Sequence, residues 1–178
     1  MNMLLAAANG QRLRYVYPAA HNDSAANLDV ATRIDLDAFV AGACEFFTNE
    51  TKQGASVGSP YIARGRDIPA QEFTATMRVS GAIGGDISFT ASRAMLTIML
   101  MRMGSDDITT PRMRALLKRL AMAMSMKART ALGDDVLVSE PVVTSSRDTN
   151  CEQSRIPRAL VTPFHWRKFT AQLAMSLN

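Results

Sequence analysis

Two apolar rhythms divide this chain. From Asp35 onward, Leu36, Phe39, Val40, Ala43, Phe46 and Phe47 recur at spacings of three and four. Such spacing collects them on one side of a helix, and Asp35 is placed to accept hydrogen bonds from its first free amides, so the pattern predicts a helix ending near Thr51. Gly54, Gly58 and Pro60 then predict a loop, because they supply or fix backbone angles that a helix cannot use. After the loop the period changes to two. Across "EFTATMRVSGAIGGDISFTAS", Phe73, Ala75, Met77, Val79 and Ile83 fall on one side and Thr74, Thr76, Arg78 and Ser80 on the other, which predicts a strand. Gly84 and Gly85 can take the positive φ angles of a tight turn, so a strand returning from Asp86 to Thr90 would complete a hairpin.

Helical spacing resumes near Ser92 and runs to about Met103, with Gly104 as the stop; a third helix starts with Pro111 in its first turn and ends at Gly133 and Asp134. "VLVSEPVV" and "RALVTPFHWRKFTAQLAMSL" read as strands, the second as a pair around "FHWRK" with Phe169, Ala171, Leu173, Met175 and Leu177 on one face. Pro141 cannot donate to a ladder and implies an edge position or a bulge. The expected fold class is therefore α+β, with helices packed on one face of a largely antiparallel sheet over residues 33–178. Residues 1–32 show no sustained period, and "HNDSAAN" is rich in turn formers, so they read as an arm or linker.

Composition changes this picture little. With 178 residues, 47% of them hydrophobic, the chain can bury one sizeable core. The net charge of +4 comes from 20 Lys+Arg against 16 Asp+Glu, too small an excess to imply nucleic acid by itself. Cys44 and Cys151 lie far apart with no histidine or second cysteine near either, which gives no support to a disulfide framework or a zinc site and suits reduced thiols in the cytoplasm. The first apolar run has no basic residue before it and is shorter than the roughly 7–15 residues of a signal-peptide core. "AMLTIMLM", bounded by Arg93 and Arg102, falls short of the roughly 20 residues that cross a bilayer, so no membrane association is expected.

The third helix, "RALLKRLAMAMSMKARTAL" at its centre, carries the most information. At 100° per residue, Met113, Leu116, Leu117, Leu120, Ala121, Met124, Ala128 and Ala131 form a stripe that should face the sheet. Arg114, Lys118, Ser125 and Arg129 lie opposite, and Ala115, Arg119, Met122 and Met126 form a shoulder between them.

The "SGAIGGDISFTAS" hairpin, the Met-rich helix after it, the long helix, "VVTSS" and the closing "VTPF…AQLAMSL" strand together resemble the CheX/CheC-like chemotaxis phosphatase domains, over residues 34–178. The resemblance implies a Glu-x-x-Asn pair on the surface of the long helix, whose carboxylate grips the lysine of a phosphorylated receiver domain while the amide orients water onto the aspartyl phosphate. Here the acid position is Arg119 and the amide position Met122, and no carboxylate or carboxamide occurs between Arg112 and Leu132. A guanidinium cannot salt-bridge a lysine, and a thioether cannot firmly orient a water. Glu45 and Asn49 on the first helix are spaced four apart rather than three, and a solvated helix face explains them.

The expectation is a non-catalytic or altered CheX-like module of bacterial chemotaxis or two-component signalling. It would bind a response-regulator receiver domain or another signalling protein through Ala115, Arg119, Met122 and Met126, with no catalytic residue, metal or cofactor. A homodimer is expected as well, because the closing strand 169–177 is long, apolar on one face and open to pairing at its edge, and the resemblance implies pairing through sheets. Three rivals stand beside this reading. One is an active phosphatase using other residues, a second is nucleic-acid binding through Arg112, Arg114, Lys118, Arg119, Lys127 and Arg129, and a third is a small-molecule sensor between helices and sheet. His165 has no acidic or cysteine neighbour in sequence and His21 has only Asp23, and "GAIGG" joins two strands instead of opening a helix, so neither marks a site.

Overall fold

The computed structural model describes residues 36–81, 84–133, 136–146 and 158–176. Asp35, His21, Ile83, Asp134, Cys151, Leu177 and the 1–32 arm lie outside the described residues. The elements follow in the order α1 (Leu36–Thr51), β1 (Ser56–Val57), β2 (Tyr61–Arg64), a single 3-10 turn (Gly65–Asp67), β3 (Phe73–Gly81), β4 (Gly85–Ala91), α2 (Arg93–Arg102), α3 (Thr110–Leu132), β5 (Val136–Val138), β6 (Val142–Ser145), β7 (Arg158–Trp166) and β8 (Phe169–Ser176). This is the α+β class expected from the sequence, and local chemistry sets the ends. The Ser92 hydroxyl accepts from the Met95 amide at 3.2 Å to start α2. Gly104 and Gly133, with φ of 76° and 79°, follow α2 and α3 in a conformation that side chains resist.

All strand pairs are antiparallel, in the order β1-β7-β8-β4-β3-β5, with β2 also on β7 and β6 also on β3. One face buries Phe73, Ala75, Met77 and Val79 of β3, Ile87 and Phe89 of β4, Phe164 and Trp166 of β7, and Ala171 and Leu173 of β8; the same core holds the apolar stripes of α1, α2 and α3. The other face is largely polar, with Thr74, Thr76 and Ser88 half-exposed, except for a small patch of Ala63, Ala159, Val161 and Ala174 packed by Ile68. Trp166 links layers: its ring stacks on Phe47 of α1 at 6.1 Å and its indole N–H donates to the Gln53 carbonyl at 3.1 Å.

Several expectations need correction. The segment read as a loop contains β1 and β2, which pair with β7 through Ser56↔His165 and Tyr61↔Val161; pieces of two and four residues are too short to display an alternation. β8 presents no free edge, since it lies between β7 and β4. The edges are instead β1 with β2, and β5 with β6. Among the described residues of the hairpin, the positive φ belongs to Gly81, at 116°, and not to Gly84 or Gly85. On α3, Ser125 is buried between Ala121 and Ala128, whereas Ala131 is exposed because the buried stripe stops at Ala128.

Pro141 sits where β5 gives way to β6. Between Val138↔Val79 and Val142↔Thr76, the three residues Ser139, Glu140 and Pro141 face only Met77 and Arg78, which is a bulge. Ser139 bridges the gap, its hydroxyl accepting from the Arg78 amide at 2.9 Å and its amide donating to the Arg78 carbonyl at 2.8 Å. The β7–β8 turn is tight too, and it places Arg167 at a φ of 56°. A residue with a Cβ in that region costs about 1–2 kcal/mol, which is why glycine or asparagine usually stands there.

Candidate protein-interaction face

α1 and α3 pack side by side at Gly42. A Cβ built there would lie 2.8 Å from Met124 Cα and 3.0 Å from the Ala123 carbonyl oxygen, so only glycine lets the two backbones approach this closely. Two ion pairs span the same seam, Glu45 Oε1 with Lys127 Nζ at 2.6 Å and Glu50 Oε2 with Arg119 Nη2 at 2.9 Å. From the first ion pair to the second, numbers rise along α1 and fall along α3, so the helices run antiparallel.

Ala115, Arg119, Met122 and Met126 are all exposed and follow one another at steps of four, three and four along α3. Met122 and Met126 keep 43% and 67% of their surface in solvent, and this separates them from the fully buried Met124 of the same helix. Arg119 does not extend freely from this row. Its guanidinium is held by Glu50 and lies 5.9 Å from the centre of the Phe46 ring, so α1 fixes its place. Being exposed, each ion pair contributes at most about 1 kcal/mol, and its effect is orientation more than stability. The face offers apolar, deformable contact from two methionines and a cation whose carboxylate partner is already present. Glu50 is the residue sequence reasoning missed: nothing in the periodicity of α1 singles it out, and only the packing of α1 on α3 brings it to the shoulder.

The remaining candidates disperse. The Glu45 carboxylate is engaged by Lys127, while Asn49, exposed, accepts from Lys52 Nζ through its backbone carbonyl at 2.8 Å, so the two do not converge on a site. His165 is exposed with its Nδ1 3.3 Å from the Thr170 hydroxyl. Cys44 is half-buried, and burial, with a smaller contribution from the charge of Glu45, pushes its thiol pKa up. Among the described residues, no group of three or more His, Cys, Asp or Glu could hold a metal ion, and no helix is long and apolar enough to cross a membrane.

The basic residues of α3 are partnered one by one. Arg112 pairs with Asp107 at 3.0 Å and Lys118 with Glu140 at 2.7 Å; these contacts lower the pKa of both carboxyls, chiefly through the hydrogen bond from the cation. Arg114 donates to the Ser145 hydroxyl at 3.0 Å, and Arg129 to the Val138 carbonyl. With the Arg119 and Lys127 pairs, these contacts tie all six cations to acceptors spread around the helix instead of aligning them on one groove-shaped stripe.

The sequence matches no protein-family model and no curated protein. Solved structures do match. The CheC-like superfamily protein of Shewanella sp. PV-4 superposes with a TM-score of 0.67 at 15% identity, covering 83% of this chain and 97% of that one. This chain has the CheX/CheC-like fold. The chemotaxis protein CheX of Desulfovibrio desulfuricans gives 0.65 at 18% identity, over 80% and 97% of the two chains. The CheX of Borrelia burgdorferi, solved in complex with CheY, BeF3 and Mg2+, gives 0.61 at 14% identity, over 81% and 98%. At these identities the likeness is one of CheX/CheC-like backbone, and what this chain does has to be argued from its own side chains.

Proposed function

We propose that this CheX-like chain is a protein-interaction module of bacterial chemotaxis or two-component signalling, acting in the cytoplasm. It docks a receiver domain through Ala115, Arg119, Met122 and Met126 without dephosphorylating it. The observation that carries the reading is the state of the shoulder. Its two methionines are exposed on α3, and where a lysine-gripping acid would stand there is Arg119, tied to Glu50 of α1. A row of this kind supplies adaptable apolar contact and an ordered cation, which suits recognition, and it lacks a carboxylate and an amide, which the phosphatase chemistry of the family requires. The Borrelia CheX held in complex with CheY makes a receiver domain the first partner to test. Among the described residues, Glu45 and Asn49 do not converge and so lend the rival phosphatase reading no support, and the paired cations of α3 count against nucleic acid.

A second copy is the other proposed partner. With β8 inside the sheet, the surface for it moves to the β5–β6 edge, where Leu137 and Val142 keep 65% and 64% of their surface exposed.

The test is an amide-shift titration of the labelled protein with receiver domains loaded with beryllofluoride. Shifts should concentrate at residues 115–126, and Met126→Asp should weaken binding by about tenfold or more. Receiver binding that leaves α3 unperturbed would move the interface elsewhere and overturn the assignment.

A further inference from the structure

A second surface lies on a different part of the fold. The last turns of α2 and the β7–β8 turn enclose an open cleft of about 730 Å³ lined by Ile98, Met101, Arg102, Arg167, Lys168 and Phe169. Ile98, Phe169 and Met101 are its apolar lining, Met101 with 55% of its surface exposed. The rest of its lining is cationic. Arg102, Arg167 and Lys168 are exposed, and among the described residues none of them lies within ion-pair distance of a carboxylate, whereas the cations of α3 at Arg112, Lys118, Arg119 and Lys127 each have one. An independent feature marks the same place. Arg167 occupies a left-handed backbone conformation at the hairpin tip, where glycine would fit without strain, so the chain sustains a conformational cost that displays two adjacent cations beside Arg102.

From this juxtaposition we propose that the α2/β7–β8 cleft is a docking site for an acidic protein segment, its carboxylates meeting Arg102, Arg167 and Lys168 and one apolar side chain resting on Met101 and Ile98. Charge complementarity selects the occupant. The cleft is too open to enclose a small molecule on most sides, as ligand pockets do. Nucleic acid fits less well, because the aromatic ring present, Phe169, has Lys168 Nζ 5.7 Å from its centre and is half-buried, leaving no platform for a base to stack on. A lipid surface would call for exposed bulky aromatic anchors, and the aromatic residue of the lining, Phe169, is half-buried. The site shares no residue with the α3 shoulder and does not depend on receiver binding there.

The experiment uses the full chain and a fluorescein-labelled peptide of aspartate and glutamate with one central phenylalanine. Its controls are the matched asparagine and glutamine peptide, a thymidine 20-mer and phosphatidylglycerol vesicles. The acidic peptide should bind at low salt, weaken steeply as salt rises, and shift the amide signals of Ile98, Met101 and Phe169. Arg102→Glu and Lys168→Glu should each reduce affinity about tenfold. Arg167→Gly is the discriminating variant: it should hold or raise the melting temperature, because it relieves the backbone, while weakening peptide binding. Absence of acidic-peptide binding, equal binding of the neutral peptide, insensitivity to all three substitutions, or capture of only the 20-mer or the vesicles would each overturn the proposal. Loss of receiver binding by α3 variants with peptide binding intact would leave it standing.

Discussion

Glu50 Oε2 of α1 stands 2.9 Å from Arg119 Nη2 of α3, so the carboxylate and the cation at the shoulder come from different helices and hold them in register. Arg119→Glu would set two carboxylates side by side and should lower stability by about 0.5–1 kcal/mol, the range of an exposed pair turned repulsive. Combining it with Glu50→Arg, which reverses the pair, should recover most of that loss. Urea midpoints of the two single variants and the double variant check this, and a coupling of zero would mean that the pair is solvated surface. The same geometry bears on any attempt to restore an acid at 119: Arg119→Glu with Met122→Asn should gain receiver affinity more readily when Glu50→Gln removes the competing charge.

Gly42→Ala sets two effects against each other. Alanine in a helix interior is favoured over glycine by about 1 kcal/mol, but its Cβ would press on the Met124 backbone at 2.8 Å. Overpacking against a backbone costs about 1–3 kcal/mol, so packing wins and the variant should be destabilised. Thermal unfolding measures the sign directly, and a stabilised Gly42→Ala would show that α1 can move away from α3 cheaply.

Cys44 gives a pH dependence. Its thiol pKa is raised, first by burial and then by Glu45, so the fold favours the neutral form. Stability from this source is fully present below the unfolded pKa and is lost as pH rises through the folded one. In a Cys151→Ser background, alkylation of Cys44 should show a pH midpoint above the value of about 8.5 for a free cysteine. A midpoint at or below it would contradict the buried setting of the thiol.

The partnered cations of α3 lead to an expectation about nucleic acid. Phosphates binding there would compete with contacts to Asp107, Glu140, Glu50, Glu45, Ser145 and Val138. A labelled thymidine 20-mer titrated at low salt should show no binding attributable to α3; salt-steep binding abolished by Lys118→Ala and Lys127→Ala would reverse that view.

The long elements were legible in sequence because each repeats its signal. Three helices, the β3–β4 hairpin and the β7–β8 pair all carry at least a full period of buried residues, and the shoulder on α3 followed from the 100° step alone. Short elements were not. β1 and β2 exist because β7 offers them a ladder, and four residues such as Tyr61–Arg64 carry no period of their own. The place of β8 depends on which strands flank it, a long-range fact that the face pattern of one strand cannot encode. Glu50 escaped for a related reason: a helix-surface glutamate looks solvated until the glycine contact at Gly42 fixes which residue of α3 it meets.

The central claim is recognition of a receiver domain without dephosphorylation. It is tested most directly by following the loss of phosphate from acetyl-phosphate-labelled receiver domains with and without this protein, at concentrations where the amide-shift titration shows the complex to be formed. The account predicts binding through α3 with a dephosphorylation rate unchanged from that of the receiver alone. A rate accelerated by orders of magnitude and lost on changing Arg119 or Met122 would contradict it, because the shoulder would then be a catalytic site built from residues other than an acid and an amide.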